Sequence, residues 1–239
     1  MRSGRAHGLN RMTYLLLPGA GGDARYWDLV TDRLRARGHH VVAPDLPGPD
    51  PAAGLDTYAD VALAALDGCE RPVVVGQSMG AFTAPLVAAR VPVELLVLVC
   101  PMIPAPGESA AAWWAATGQD AAYRESEARA GRDPDAPFDL ATLFLHDVAP
   151  DVAARVLADD REETGRSWDE PWPLEAWPDV PTRVLVGARD RLFPEPFARR
   201  VARERLGVEA DVIDTGHLPA LARPDELAER LAAHAPATA

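Results

Sequence analysis

The sequence predicts an α/β fold: a mostly parallel sheet covered by helices on both faces, with a helical cap inserted between two strands. Three observations carry this expectation. Short apolar, β-branched runs alternate with Ala-, Arg- and Leu-rich stretches of helical length. Several of these runs are apolar at every position, the pattern of strands covered on both faces. One long stretch, 101–178, breaks the alternation.

Strands are expected at 13–17, 41–43, 73–75, 95–99, 182–186 and 211–213. Helices are expected at 28–37, closed by Gly38, and at 57–66, 81–90, 195–206, closed by Gly207, and 224–233. Glycine just past a helix end supplies the left-handed turn that stops it, and Pro224 fits a first helical turn. Leu227 and Leu231 lie one turn apart on the last helix, as an apolar face requires.

The stretch 101–178 holds no convincing strand, many prolines, and five of the six tryptophans: Trp113, Trp114, Trp168, Trp172 and Trp177. Helical patches lie near 108–117, 121–130 and 150–159. A helical layer that merely fills the core is the competing reading, but a connection this long is usually functional. The division expected is therefore a core of 12–100 and 179–235, a helical cap of 101–178, and a disordered leader of 1–11. The tail 235–239 is expected to fray.

A chain of 239 residues can bury a sizeable core as one domain. Its 48% apolar and 25% charged residues are ordinary globular values. The net charge of −12, with no basic block, argues against nucleic acid as a partner. There is no lysine, which excludes a Schiff base or a P-loop. Cys69 and Cys100 form no C-x-x-C and lie in or beside apolar stretches, so two buried structural thiols are expected, with no metal and no cofactor. The apolar run at 14–17 is too short for a signal peptide, and no window spans a membrane. The expectation is a soluble cytoplasmic monomer or homodimer, with Met12 as an alternative start.

The sharpest chemical signal is Val73-Val74-Val75-Gly76-Gln77-Ser78-Met79-Gly80, a G-x-S-x-G between a strand and a helical run. Small residues let the strand turn sharply and hold Ser78 exposed at the sheet edge. A serine hydroxyl needs a base, and the base needs an orienting carboxylate. Asp190 follows the strand 182–186 through Gly187-Ala188-Arg189, and His217 follows 211–213 through Asp214-Thr215-Gly216. Ser78, Asp190 and His217 thus stand in the order nucleophile, acid, base, each beyond a strand end. His7, His39, His40 and His234 are badly placed for the base. His146 lies in the cap and breaks the order, so it is kept as a substrate contact, together with Trp113 and Trp114. The run Leu17-Pro18-Gly19-Ala20-Gly21-Gly22 is nearly all small, which lets a backbone N–H approach a carbonyl oxygen. The Ala20 and Met79 N–H groups are the expected oxyanion donors.

The elbow, Pro18–Gly22, Asp45-Leu46-Pro47-Gly48 and Gly216-His217 together resemble the α/β-hydrolase superfamily. Within it they resemble small bacterial esterases similar to plant hydroxynitrile lyases and methyl-ester esterases. The resemblance spans about 13–233, closest in the sheet core and loosest in the cap. It implies that His146 and Asp147, in Phe144-Leu145-His146-Asp147, line the pocket. Two departures stand out. Superfamily members commonly carry His-Gly where this chain has Pro18-Gly19, so a side-chain bond under that loop is lost. The plant lyases use a lysine beside the histidine, and this chain has none.

The activity expected is hydrolysis of a carboxylic ester or thioester of a small, largely apolar substrate. The alternatives are another cofactor-free triad chemistry (perhydrolase, lyase or cyclase), a type II thioesterase acting on carrier proteins, or a ligand receptor on the same scaffold. The thioesterase reading needs arginines clustered around 199–205 to draw an acidic carrier protein.

Overall fold

The structure, a computed structural model, describes residues 11–158 and 165–234. The expected leader (save Arg11), the tail 235–239 and the last residue of the 150–159 patch lie outside the described residues.

Among the described residues, six strands form one parallel sheet: β1 (Thr13–Leu17), β2 (His40–Val42), β3 (Val73–Gln77), β4 (Leu95–Val99), β5 (Thr182–Gly187) and β6 (Asp211–Ile213). Their order is β2-β1-β3-β4-β5-β6. The register sets Leu17 beside Gly76, Gln77 beside Val99, and Gly187 beside Ile213. Because every strand runs the same way, the segments following β1, β3, β4, β5 and β6 emerge at one edge.

The continuous apolar runs are explained by two cores, one on each face. Leu15, Leu17, Val74, Leu96, Leu98, Val184 and Val186 point to one; Tyr14, Leu16, Val73, Val75, Leu95, Val97, Val99 and Leu185 point to the other. Burial of each such Val or Leu side chain contributes about 1.5–3 kcal/mol.

The helices are α1 (Asp28–Ala36), α2 (Leu55–Leu66), α3 (Gly80–Ala88), α4 (Ala110–Thr117), α5 (Gln119–Arg129), α6 (Leu140–Phe144), α7 (Pro150–Leu157), α8 (Arg166–Asp169), α9 (Glu195–Leu206), α10 (Pro219–Ala222) and α11 (Pro224–His234). α1 packs against α11 over one face through Val30, Leu34, Leu227 and Leu231. α2, α3 and α9 cover the other through Tyr58, Phe82 and Phe197. α3 is buried from Gly80 to Val87, as a helix apolar all round should be. No helix among the described residues is long and apolar enough to cross a membrane.

Among the described residues, five helices, α4 to α8, lie between β4 and β5. Three match the expected patches. α6 and α8, five and four residues long, carry too few turns to show a helical period. Tryptophan hydrogen bonds tie this segment to α3 at one point and to itself at two. Trp113 Nε1 donates to the Ile103 carbonyl at 2.9 Å, Trp172 Nε1 to Phe82 at 3.0 Å, and Trp177 Nε1 to Pro104 at 3.0 Å. A buried indole N–H needs such an acceptor. Cys100 is buried as expected, whereas Cys69 is half-buried, its Sγ 3.7 Å from His40 Nδ1; both are free thiols.

Candidate active site

The turn from β3 into α3 shows why the motif needs its two glycines. A Cβ on Gly76 would lie 2.6 Å from the Gly80 carbonyl oxygen, and one on Gly80 would lie 2.7 Å from the Pro18 carbonyl oxygen. Between them Ser78 sits at φ +50°, a left-handed conformation costing a non-glycine residue about 1–3 kcal/mol. The end of β4 and the segment after it hold it there: the Ser78 N–H donates to Val99 at 3.0 Å, and the Ser78 carbonyl accepts from the Met102 N–H at 3.0 Å.

The three residues singled out from the sequence meet. His217 Nε2 lies 3.1 Å from Ser78 Oγ, and His217 Nδ1 lies 2.7 Å from Asp190 Oδ2. Asp190 Oδ1 accepts from the Leu192 and Phe193 N–H groups, both at 2.9 Å. A carboxylate only accepts, so Nδ1 carries hydrogen and Nε2 presents its lone pair to the serine hydroxyl. Ser78, Asp190 and His217 are 8%, 5% and 1% exposed, so the relay is largely shielded from water. Phe144 and Phe193 stand nearly perpendicular to the imidazole, at 5.1 and 4.9 Å between ring centres.

Ala20 and Met79 flank the serine. Among the described turns, caps and loops, neither N–H donates to a backbone carbonyl. Both line a small pocket with Leu46, Tyr58 and Thr83. Gly19 makes this loop possible: a Cβ there would fall 2.5 Å from Gln77 Oε1 and 2.9 Å from Ser78 Cβ.

Beneath Asp190 lie Cys100 and Tyr26. Burial, then the nearby Asp190 charge, pushes the Cys100 thiol well up, so it stays protonated and is no rival nucleophile. Burial first, with Cys100 and Asp190 adding, likewise raises Tyr26. Cys100, Asp190 and His217 place ligand atoms within 4.8 Å of one another, the one such group among the described residues. A metal ion there would have to displace the hydrogen bond between Asp190 and His217.

The three residues expected as substrate contacts sit at different depths. Trp113 is fully buried, its ring packed on Phe193 and Phe197, so it belongs to the core and not to a pocket wall. His146 lies 2.9 Å from the Arg189 carbonyl through Nε2, on the loops that carry the acid and the base. Trp114 is half-buried against Trp168 and Phe193. The aromatic cluster thus backs Phe193, which in turn backs the imidazole. Sequence reasoning missed Gln77 as well, whose Nε2 donates to the His217 carbonyl at 3.2 Å. Its place beside the nucleophile was the one signal available.

A parallel sheet with a serine at the β3 elbow, and with acid and imidazole joined to it from β5 and β6, defines a protein of the triad-hydrolase class. The chain belongs to the alpha/beta hydrolase family, whose model matches residues 14–230. No curated protein sequence matches it. Its structure is similar to a pyrethroid hydrolase from Sphingobium faniae JZ-2 (20% identity, TM-score 0.73, covering 95% of this chain and 98% of that one). It is also similar to an extracellular α/β-hydrolase from a Paenibacillus species, described as homologous to a tobacco salicylic acid binding protein (17%, 0.73, 95% and 100%). A third similar structure is a methylesterase from Arabidopsis (16%, 0.69, 92% and 97%). At these identities the likeness speaks for the fold.

Proposed function

We propose that this protein hydrolyses a carboxylic ester of a small, largely apolar substrate through an acyl-serine intermediate. The observation that carries the reading is the continuous hydrogen-bonded line from Ser78 Oγ through His217 to Asp190. Ser78 attacks the carbonyl carbon while His217 Nε2 takes its proton and hands it to the leaving alkoxide. Asp190 holds the tautomer and stabilises the imidazolium. The Ala20 and Met79 N–H groups receive the oxyanion. Water, deprotonated by His217, then releases the acid. The described part of the segment 101–178 caps the site, and Phe144 and Phe193 keep the imidazole in apolar surroundings. The pyrethroid hydrolase and the methylesterase among the similar structures act, by their descriptions, in the same chemical class.

The carrier-protein alternative loses its docking charge. Arg199 pairs with Glu195, Arg200 with Glu204, Arg203 with Glu209 and Arg205 with Glu108. Little unpaired positive charge remains there to draw an acidic carrier.

The test is a panel of p-nitrophenyl esters of graded acyl length, run on the wild type and on Ser78→Ala, with fluorophosphonate labelling of the serine. Turnover by the wild type and its loss in Ser78→Ala are expected. Undiminished turnover in Ser78→Ala refutes the assignment; labelling without ester turnover moves the chemistry to another triad reaction.

A further inference from the structure

The turn after α6 carries two adjacent residues onto the loops that hold the acid and the base. Asp147 Oδ2 accepts from the Gly216 N–H at 2.7 Å and from the Thr215 hydroxyl at 3.1 Å, with the Arg189 guanidinium 3.6 Å away. Gly216 directly precedes His217. His146 Nε2 lies 2.9 Å from the carbonyl oxygen of Arg189, the residue directly before Asp190. A carbonyl only accepts, so His146 Nε2 carries the hydrogen and donates. The fit is close: a Cβ on Gly216 would fall 2.7 Å from His146 Cε1 and 2.8 Å from Asp147 Oδ1. The two side chains are only 10% and 6% exposed, so water competes poorly for these bonds.

We propose that His146 and Asp147 are positioning residues for the triad, clamping the acid loop and the base loop together from the inserted segment. The proposal rests on the triad reading above. Its physical basis is that Asp190 and His217 stand on separate loops after separate strands. The sheet register places the strand ends, but the 2.7 Å bond between acid and base also needs the two loop tips in register. Asp147 fixes one tip by a charge-assisted bond to backbone, and its neighbour His146 fixes the other.

A further detail separates the bond from the charge. His146 Nδ1 and Asp147 Oδ1 face each other at 3.4 Å, and neither has a hydrogen-bond partner. With Nε2 protonated, a neutral ring turns a lone pair toward a carboxylate oxygen. Asparagine at 147 would keep an oxygen for the Gly216 N–H and turn its amide hydrogens toward Nδ1. Alanine would keep neither.

The test follows the rate of Ser78 labelling by a fluorophosphonate, which reads activation of the nucleophile without the natural substrate, together with kcat and KM on p-nitrophenyl acetate. Asp147→Ala should label about 100-fold more slowly, the loss falling on kcat with KM nearly unchanged, whereas Asp147→Asn should stay within about threefold of the wild type. His146→Ala should label about tenfold more slowly, and His146→Gln, which can still donate to Arg189, should recover most of the rate. If Asp147→Ala does not fold, the His146 pair decides. Wild-type rates in the folded alanine variants, a loss confined to KM, or equal slowing in the Asn and Ala variants overturns the clamp. A wild type that does not label at Ser78 overturns the triad reading instead, so the two failures are distinct.

Discussion

The side-chain amide of Gln77 donates to the backbone carbonyl of His217 at 3.2 Å, and Gln77 is itself only 3% exposed. The residue before the nucleophile therefore holds the base from β3, across the width of β4 and β5. Replacing it by leucine keeps the bulk and removes the donor. The His217 carbonyl would then be buried without this partner, at a cost of about 1–3 kcal/mol. Gln77→Leu should lower the melting temperature and reduce kcat, with KM little changed, as thermal denaturation and steady-state kinetics would show.

Asp190→Asn isolates the role of the carboxylate. The two backbone donors, Leu192 and Phe193, can still be met by the amide oxygen. The amide nitrogen then faces His217 Nδ1 and favours hydrogen on Nε2, the wrong tautomer for a base. A loss in kcat on the order of 10⁴-fold is expected, with the fold intact by circular dichroism.

Gly19→Ala adds one methyl group where no space exists, against Gln77 Oε1 and Ser78 Cβ. Overpacking of this kind costs about 1–3 kcal/mol. Relief requires the Ala20 N–H or Ser78 to move, so kcat on a p-nitrophenyl ester should drop by about 100-fold. A variant of wild-type stability and activity would show that this loop yields freely.

Acid should weaken the fold through His146. Burial is the main force lowering its pKa from the usual 6.5; Arg191, Arg189 and Arg132 add to it, and Asp147 opposes them. A histidine lowered in the folded state takes up its proton more readily when unfolded. Stability therefore falls as pH drops below about 6.5 and levels off only below the folded value. His146→Gln removes this contribution. Melting temperatures taken from pH 7 downward should fall more steeply in the wild type than in His146→Gln.

Much of the catalytic geometry was legible in the chain because a parallel sheet converts sequence order into position. Ser78, Asp190 and His217 each follow an apolar run through one or more small residues, and all such runs end at the same edge. That placement brings them to one edge, where they meet at 2.7 and 3.1 Å. Trp113 was read as a substrate contact because it lies in a long insertion. Its indole instead found the Ile103 carbonyl and the rings of Phe193 and Phe197, and nothing local distinguishes a tryptophan that packs inward from one that lines a pocket. α6 and α8 escaped for another reason, since so few turns carry no periodic signal.

From the sequence alone came the parallel α/β architecture and the candidate nucleophile, acid and base, because apolar runs, their succession along the chain and turn chemistry are local properties. Only the tertiary structure decided which side chains tie the triad together: Gln77 on His217, Asp147 on Gly216, His146 on Arg189. Those bonds join loops separated by 140, 69 and 43 residues. They depend on how the inserted segment settles on the sheet edge, a matter of packed volumes and hydrogen-bond directions that no spacing along the chain records.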